Sequence, residues 1–366
     1  MAAGKVVLVG PVLPYRGGIA QHTTMLHRAL VERGAGFTLS FTRQYPRFLF
    51  PGEDDRDPAY ADHSEPGVEY LIDSVNPLTW RKAVKRLVAS GATTVVFPWW
   101  HVYWSFCFGY MSWALRRRGL EVVFFCHNVV EHESAAWKSV LTRWVLKHAD
   151  RCVVHTREDE ANLLQLIPDA KIAVHPHPIY DQFPPALGRL PRRANLELLF
   201  YGFVRPYKGL DVLIEAMAEV KGDVMLTVAG EFWKGEESVR ERIEELGLGD
   251  RIELRPHYHT DEETAELFSR ADVVVLPYRS ATGSGVVPIA YHYEKPVIAT
   301  RVGGLPDVII EDETGWLVEP ESPQALAKVI GQLSRQRVLA CQPGIQKMKA
   351  GMTWASLAEQ FKGGDT

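Results

Sequence analysis

Short apolar runs alternate with longer stretches of helical periodicity along most of the chain. The runs are rich in Val, Ile and Leu without interruption, as in strands buried on both faces of a parallel sheet. Predicted strands lie at residues 6–9, 38–41, 93–97, 122–126, 152–155, 172–175, 196–201, 224–229, 252–254, 273–276 and 297–300. Predicted helices lie at 19–32, 77–90, 134–148, 209–220, 236–246, 261–269, 285–291 and 323–333. This alternation predicts doubly wound α/β layers.

One proline-rich segment interrupts the alternation between residues 176 and 193, and a strand restarts at Leu196. A chain of 366 residues has room for about two domains. We therefore expect two Rossmann-like domains, over residues 1–185 and 186–351. Because such folds bind ligands at the carboxyl ends of their strands, the cleft between the two domains is the expected site.

Composition excludes several classes of function. The net charge of −4 and pI of about 6.4 give no global basic field for nucleic acid. The four cysteines form no CxxC pair, which argues against a zinc or dithiol site and favours reduced, buried thiols in a cytoplasmic protein. The apolar run after Lys5 is short and ends at Gly10, as in a strand rather than a signal peptide.

Two segments raise the question of membrane contact. Residues 93–115 carry no charged side chain, but Pro98 and His101 divide them into a strand, a loop and a helix too short to span a bilayer. The helix at 78–88 has an apolar side and a side with four basic residues. It either lies in a lipid interface or packs on the sheet. The second interpretation is favoured, and peripheral contact with the inner face of the membrane stays open.

Cations and glycines follow two strands of the second domain. Arg205 and Lys208 stand between the strand at 196–201 and the next helix, where a diphosphate would meet two cations and a helix N-terminus. The alternative is a pair of solvated charges. After the strand at 273–276, a flexible loop over residues 282–286 opens a helix and offers backbone N–H groups to phosphate. A plain connector would look similar.

Other nucleotide and metal signals are weak or missing. Gly17 and Gly18 open the first helix and would line the opposite wall of the cleft. Neither GxGxxG nor GxxxxGK[ST] occurs, which argues against a dehydrogenase or a P-loop NTPase. The segment Asp55-Arg56-Asp57 has the form of a metal motif, but it lies in an acidic loop rather than at a strand end. We predict neither a metal nor a cofactor.

The order of these motifs resembles that of the family 4 retaining glycosyltransferases, which have the GT-B fold. The resemblance covers most of the chain and is strongest from residue 198 to 320. The matching segments are Gly17-Gly18, Phe125-Cys126-His127-Asn128, Arg205-Pro206-Tyr207-Lys208-Gly209, residues 271–277, residues 296–307 and residues 313–318. The last helix, over residues 352–366, resembles the family helix that crosses back to the first domain.

The resemblance implies a role for each matched residue. Arg205 and Lys208 would hold the donor diphosphate, and His127 would lie near the transferred sugar unless it is a structural histidine. The implied catalytic residues are His127, Arg205 and Lys208, and the implied substrate-binding residues are Gly17, Gly18, Asn128, Thr282, Gly283, Ser284, Gly285 and Val286. The chain departs from the family at one motif. Thr282 and Ala290 occupy the positions of the two glutamates in its E-x7-E pattern.

The expected function is transfer of a sugar from a nucleotide-diphosphate donor, with UDP as the first expectation and the nucleotide sugar as co-substrate. The resemblance implies retention of anomeric configuration. The expected acceptor is a cell-surface glycan or a lipid-linked intermediate. Because both glutamates are missing, an inactive sugar-nucleotide-binding homologue is the alternative. A sugar-nucleotide epimerase would need a further acidic pair, which the sequence does not supply.

Overall fold

The computed structural model describes residues 5–34, 36–46, 55–56, 60, 63–129, 136–232 and 234–362. The chain divides into two compact units. One unit runs to His175 and resumes at Thr353, and the other comprises Pro176–Met352. The proline-rich segment thus belongs to the second unit, and the last helix belongs to the first.

The first unit contains a seven-stranded parallel sheet in the order β3-β2-β1-β4-β5-β6-β7. Its strands are β1 (Val6–Val9), β2 (Thr38–Arg43), β3 (Val68–Asp73), β4 (Thr94–Trp99), β5 (Glu121–Cys126), β6 (Arg151–Val154) and β7 (Ile172–Val174). Its helices before the division are α1 (Gly18–Glu32), α2 (Pro77–Ala89), α3 (Ser105–Arg116), α4 (Ala136–Leu146) and α5 (Arg157–Leu166). Strand order reverses between β1 and β4.

The second unit contains a six-stranded sheet in the order β10-β9-β8-β11-β12-β13. Its strands are β8 (Leu196–Tyr201), β9 (Val224–Ala229), β10 (Ile252–Arg255), β11 (Val273–Leu276), β12 (Val297–Thr300) and β13 (Gly315–Val318). Its helices are α6 (Leu210–Glu219), α7 (Glu236–Glu245), α8 (Asp261–Arg270), α9 (Val286–His292), α10 (Leu305–Val308), α11 (Pro323–Gly331), α12 (Arg335–Leu339) and α13 (Gln342–Gly351). Helix α14 (Trp354–Glu359) then rejoins the first unit.

The two doubly wound α/β layers predicted from the sequence are confirmed, and the predicted strands lie within a few residues of the observed ones. The sequence analysis missed β3 and β13, which are edge strands of the two sheets. The first four of the six residues of β3 are only half-buried. This strand therefore lacks the continuous apolar signature of an interior strand. The predicted start of the helix at 134–148 lies outside the described residues.

Aromatic side chains dominate the core of the first unit. Trp99, Trp104 and Phe108 are fully buried in it. Helix α2 contributes Trp80, Ala83, Val84 and Leu87 to the same core. The apolar side of α2 is therefore used by the protein interior, which supports the packing interpretation of this helix. Over the described residues, every helix is too short or too polar to cross a bilayer.

A buried ion pair network holds α8 against the second sheet. The Arg270 side chain is only 4% exposed, and its Nη2 lies 2.7 Å from an oxygen of Glu253 on β10. The same nitrogen donates to Thr227 on β9 at 2.6 Å, and Nε lies 3.7 Å from Glu197 on β8. One guanidinium thus connects three neighbouring strands. Removing it would leave Glu197 buried without its cation, whereas Glu253 would keep Arg255 at 2.7 Å.

We expect Arg270→Met to lower the free energy of unfolding by about 3–5 kcal/mol, the usual cost of breaking a buried pair from one side. Urea denaturation followed by circular dichroism measures it. The control is Arg240→Met, which removes an exposed pair with Glu236 and should change stability by less than about 0.5 kcal/mol. Equal effects of the two substitutions would contradict a structural role for the buried network.

Candidate functional site

The second sheet reverses its strand order between β8 and β11, which pair in parallel. At such a point the connections after the two strands leave in opposite directions and open a crevice at their carboxyl ends. The loop after β8 carries Arg205 and Lys208, and the loop after β11 carries residues 282–286. The two predicted phosphate-binding loops therefore meet at the switch point of this unit.

The basic loop has a defined local structure. Arg205 is extended and precedes a short 3-10 turn over Pro206–Lys208. Gly209 follows with φ 66° and begins α6. A side chain at Gly209 would collide with the carbonyl oxygen of Pro277, so glycine is required for the close approach of the two loops.

Lys208 is a buried cation. Its side chain belongs to a residue only 9% exposed, and burial, assisted by the charge of Arg205, lowers its pKa to about 8. The amine lies 5.6 Å from the centre of the Tyr278 ring. Among the ion pairs within the described ranges, none includes Lys208. Its charge is thus compensated by an aromatic face rather than a carboxylate.

Gly202 lies close to both the Lys208 amine and the first residue of α9. A Cβ built on Gly202 would lie 3.2 Å from the Lys208 Nζ and 3.9 Å from a methyl group of Val286. The amine and the first residue of α9 therefore border the same small space. The absence of a side chain at Gly202 keeps that space open beside the cation.

Arg279 fastens the basic loop in place. Its guanidinium donates to both carboxylate oxygens of Asp211, at 2.6 and 2.9 Å, and to the carbonyl of Pro206 at 2.7 Å. Its backbone N–H donates to the Tyr207 carbonyl at 2.7 Å. This set of bonds fixes the 3-10 turn that carries Lys208, and so holds the cation in one position.

The loop before α9 has exposed residues, and some of its polar groups already form hydrogen bonds within the protein. Gly283 and Gly285 are exposed, whereas Thr282 and Ser284 are half-buried. The Thr282 carbonyl accepts from Gly304 N–H at 3.1 Å. The Ser284 hydroxyl accepts from Val286 N–H at 3.2 Å, so a phosphate that used this N–H would replace the hydroxyl.

The two positions that lack the family glutamates differ in their surroundings. Thr282 is half-buried on the loop, whereas Ala290 is fully buried within α9. Ala290 therefore presents no polar group where the family pattern has its second glutamate. The site as built is cationic and carries no carboxylate at either position.

In the first unit, Gly17 and Gly18 begin α1. Both are exposed, and a Cβ at either would meet no atom within 4 Å. Gly17 has φ 99°, a conformation that favours glycine. The first turn of α1 carries no acidic side chain. The positive end of this helix is therefore open towards an anion.

His127 follows β5 and belongs to a group of three imidazoles. Its backbone N–H donates to Trp99 O at 2.8 Å, which fixes the residue at the end of the strand. The ring lies 4.6 Å from His22 and 5.5 Å from His155 between centroids. Asn128, the next residue, is half-buried.

Sequence reasoning missed His22 and His155. His22 is buried on α1, and His155 follows β6, the neighbour of β5 in the sheet. The returning helix covers the group, because the Trp354 ring lies 4.7 Å from His22. The position of His155 as the last residue of the predicted strand at 152–155 was the one available signal. The burial of His22 on a helix face gave none.

Two groups of side chains in the described part of the chain have the composition of a cation site. They are His22 with His127 and His155, and His257 with His259 and Glu263. In each group the ligand atoms lie within 4.8 Å of one another. Asp57, from the acidic motif considered above, lies outside the described residues. The expectation of metal-independent chemistry stays a prediction.

Comparison with known proteins agrees with this architecture. A model described as "Glycosyltransferase Family 4" matches residues 16–183. A model described as "Glycosyl transferases group 1" matches residues 191–347. The first match includes the glycine pair and His127, and the second includes both loops of the switch point. Together the two models cover most of the chain.

Named relatives include two D-inositol 3-phosphate glycosyltransferases. The protein of Streptomyces scabiei is 30% identical over an alignment of 258 residues, and the match covers 62% of this chain and 58% of the relative. That of Mycobacteroides abscessus is 29% identical over an alignment of 277 residues, and the match covers 69% of this chain and 62% of the relative. The chain covers about three fifths of the length of these relatives.

Solved structures with the same fold cover nearly the whole chain. Sucrose-phosphate synthase from Thermosynechococcus elongatus has a TM-score of 0.72 at 22% identity and covers 97% of both chains. Anabaena HepE in complex with UDP has a TM-score of 0.72 at 16% identity and covers 97% of this chain and 98% of its own. The protein belongs to the group 1, family 4 glycosyltransferases and has their GT-B fold.

Proposed function

We propose that the protein transfers a sugar from a nucleoside diphosphate donor to a hydroxyl group of an acceptor, with retention of anomeric configuration. UDP is the proposed nucleotide. The observation that carries the proposal is the buried ammonium of Lys208 at the switch point of the second sheet. A buried charge is costly unless it is paired, and the described carboxylates do not pair with it. A diphosphate is an anion of suitable charge for that position.

The loops around Lys208 supply the rest of a diphosphate site. Arg205 lies close enough to lower the pKa of Lys208 by its charge, so two cations face one region. Two cations repel one another, and an anion between them relieves the repulsion. Val286, the first residue of α9, borders the same space through a methyl group, which brings the N-terminus of that helix near the two cations. This combination of fixed charges and N–H donors favours phosphate oxygens.

Binding and catalysis would use the same groups. When the bond between the sugar C1 and the diphosphate oxygen breaks, negative charge increases on the diphosphate. Lys208 and Arg205 would stabilise that increase, which is the main catalytic contribution of such preorganised groups. The acceptor oxygen would form the new bond to C1 on the same face, and its proton would pass to a diphosphate oxygen. This step needs neither a protein carboxylate nor a metal ion.

The acceptor is proposed in two classes. A lipid-linked intermediate or cell-surface glycan is the first. A polyol phosphate is the second, because the named relatives carry D-inositol 3-phosphate in their names. Both classes present a hydroxyl group, and a transfer assay with each separates them. His127 is proposed to lie near the transferred sugar.

A catalytically inactive protein that binds the nucleotide sugar is the second candidate function. The observation in its favour is the absence of carboxylates at Thr282 and Ala290, of which Ala290 is fully buried. Both candidates predict binding of the nucleotide. Release of UDP from a UDP-sugar in the presence of an acceptor occurs only with the enzyme.

We expect UDP to raise the melting temperature in the presence of EDTA. At one hundred times its dissociation constant a ligand adds about 2.7 kcal/mol of stability. A thermal-shift series with UDP, GDP, dTDP and ADP measures the preference for a base, and UMP controls for the contribution of the second phosphate. If none of the diphosphates shifts the transition, the proposed donor site is wrong. A shift that requires a divalent ion would overturn metal independence.

We expect Lys208→Met to lower the affinity for UDP by roughly ten- to a hundredfold, as for loss of a charged hydrogen bond. The wild-type affinity should also fall as the pH rises above about 8. The ammonium form of Lys208 binds the anion, and burial lowers the pKa of this side chain to about 8 in the protein without ligand. In Lys208→Met this decline should be missing. Calorimetric titration between pH 7 and 9 measures both effects.

The matched control for Lys208 is Lys295→Met. Lys295 is a half-buried lysine of the second unit, with a pKa lowered mainly by burial, and its amine donates to the Ser269 carbonyl at 3.1 Å. Its replacement should reduce stability while affinity for UDP and its pH dependence stay unchanged. A similar loss of affinity in both variants would mean that the effect of Lys208 is structural.

We expect His127→Ala to reduce transfer by about 10²-fold or more, in the range typical for loss of a catalytic group, while UDP still stabilises the protein. The control is His27→Gln. His27 is a buried histidine of the same unit that bonds to Thr38 and to the Pro66 carbonyl, both at 2.8 Å. Its loss should lower stability but not turnover per folded molecule. If His127→Ala behaves like the control, His127 is structural.

A further inference from the structure

Helices α3 and α4 leave a set of large apolar side chains in solvent. We call this set the aromatic face: Phe106, Trp113, Trp137, Val140 and Trp144, which are 68%, 43%, 56%, 67% and 37% exposed. Three of them are tryptophans, and they are the exposed tryptophans of the described chain. A contiguous exposed apolar surface of this kind marks an interaction site.

The aromatic face is continuous across the two helices. Its members on α3 are seven residues apart, and those on α4 are three and four apart, so each set lies along one side of its helix. The Phe106 and Trp144 rings approach to 6.5 Å between the helices. A side chain at Gly109 would collide with the Trp144 ring, so glycine lets α4 lay this tryptophan directly on the α3 backbone.

A groove of about 540 Å³ runs between these helices. It is lined by Trp80, Phe106, Gly109, Tyr110, Trp113, Trp144, Lys147 and His148. The floor of the groove is aromatic and its end is basic.

The charged side chains on the described segments that carry the aromatic face are basic. Residues 77–120 and 136–149 contain ten Lys and Arg and no Asp or Glu, although the whole chain has a net charge of −4. Among the described residues, Arg86 pairs with Glu69 and Arg116 with Asp150, which are carboxylates of other elements. Cations also stack on the exposed rings, Lys138 on Trp137 at 5.9 Å and Arg117 on Trp113 at 5.3 Å.

We propose that the aromatic face docks the protein on an anionic lipid bilayer. Tryptophan concentrates at the boundary between head groups and acyl chains, where its ring is in an apolar region and its N–H in a polar one. Lysine and arginine that extend from an apolar surface keep their charges in the head-group region. Anionic head groups attract each such charge. The proposal does not depend on the identity of the donor or the acceptor.

The same observations disfavour a second copy of this chain as the occupant. A symmetric dimer through the aromatic face would bring two strongly basic surfaces together, and no acidic side chain in these segments would compensate them. Like charges across an interface oppose association. The bilayer supplies the apolar layer and the negative charge at once. The helix at 77–89 adds basic side chains and the exposed Leu78 and Val88, whereas the rest of its apolar side is buried.

The test uses the full chain with vesicles of phosphatidylcholine, alone or with part of it replaced by phosphatidylglycerol. We expect sedimentation with the anionic vesicles at low NaCl and release at high NaCl. Lipids brominated on the acyl chains should quench the fluorescence of the bound protein, because exposed tryptophans enter the bilayer. Analytical ultracentrifugation without lipid measures self-association in the same buffers.

Two variants separate apolar from electrostatic contributions. Phe106→Ser/Trp137→Ser/Val140→Ser removes exposed apolar groups, and its control is Val31→Ser/Leu164→Ser/Leu339→Ser, at exposed positions elsewhere. Lys138→Glu/Arg143→Glu/Lys147→Glu reverses charge on α4, and its control is Lys221→Glu/Lys328→Glu/Lys347→Glu in the second unit. Each test variant should lower vesicle binding by at least about tenfold, and each control should bind like wild type. The circular dichroism spectrum and thermal unfolding transition of each variant, compared with those of the wild type, verify folding.

Several results would overturn the proposal. Absence of binding to anionic vesicles at low salt would do so, as would equal binding to neutral vesicles that high salt does not reduce. Binding that the α4 reversal and its control weaken equally would reflect net charge alone. If the wild type forms a dimer that the apolar variant dissociates, and vesicles do not bind, the aromatic face is a protein interface instead.

Discussion

The arrangement of the second unit depends on one buried ammonium. Lys208 stands between two parallel strands at the place where the sheet reverses direction, with a pKa lowered to about 8. Such a group is stable there because Arg279 fixes the turn that carries it and Tyr278 faces it with an aromatic ring. The loops after β8 and β11 must approach one another around the charge of Lys208. The close contact of Gly209 with Pro277 allows this approach.

The first unit depends instead on the packing of imidazole and indole rings at the ends of β5 and β6. His22 is 1% exposed and lies against Phe125 at 5.0 Å. The returning helix completes this layer, and its capping residue Ser356 bonds to His175 at 2.9 Å. His127 is therefore held by groups from both ends of the chain rather than by its own loop alone.

A structural feature could be predicted from the sequence where neighbouring residues determine it, but not where distant parts of the chain determine it together. Interior strands such as β8 and β11 were predicted because each is a continuous apolar run, and the cations after β8 were found because they follow directly in sequence. His22 and His155 were missed because strand order, which no local pattern contains, brings them beside His127. The aromatic segment also left open which of its rings are exposed: Trp104 is fully buried, whereas Trp113, nine residues later, is 43% exposed.

The return of the chain to the first unit has a consequence for biosynthesis. The residues that close the layer over His22 and Phe125, among them Trp354 and Phe361, are translated after the whole second unit. The amino-terminal unit therefore leaves the ribosome with part of its core uncovered and cannot acquire its final packing until residues 353–362 emerge. The second unit, contiguous from Pro176 to Met352, is free to fold in the interval. Synthesis from the amino terminus therefore completes the first unit only after the second unit has been made.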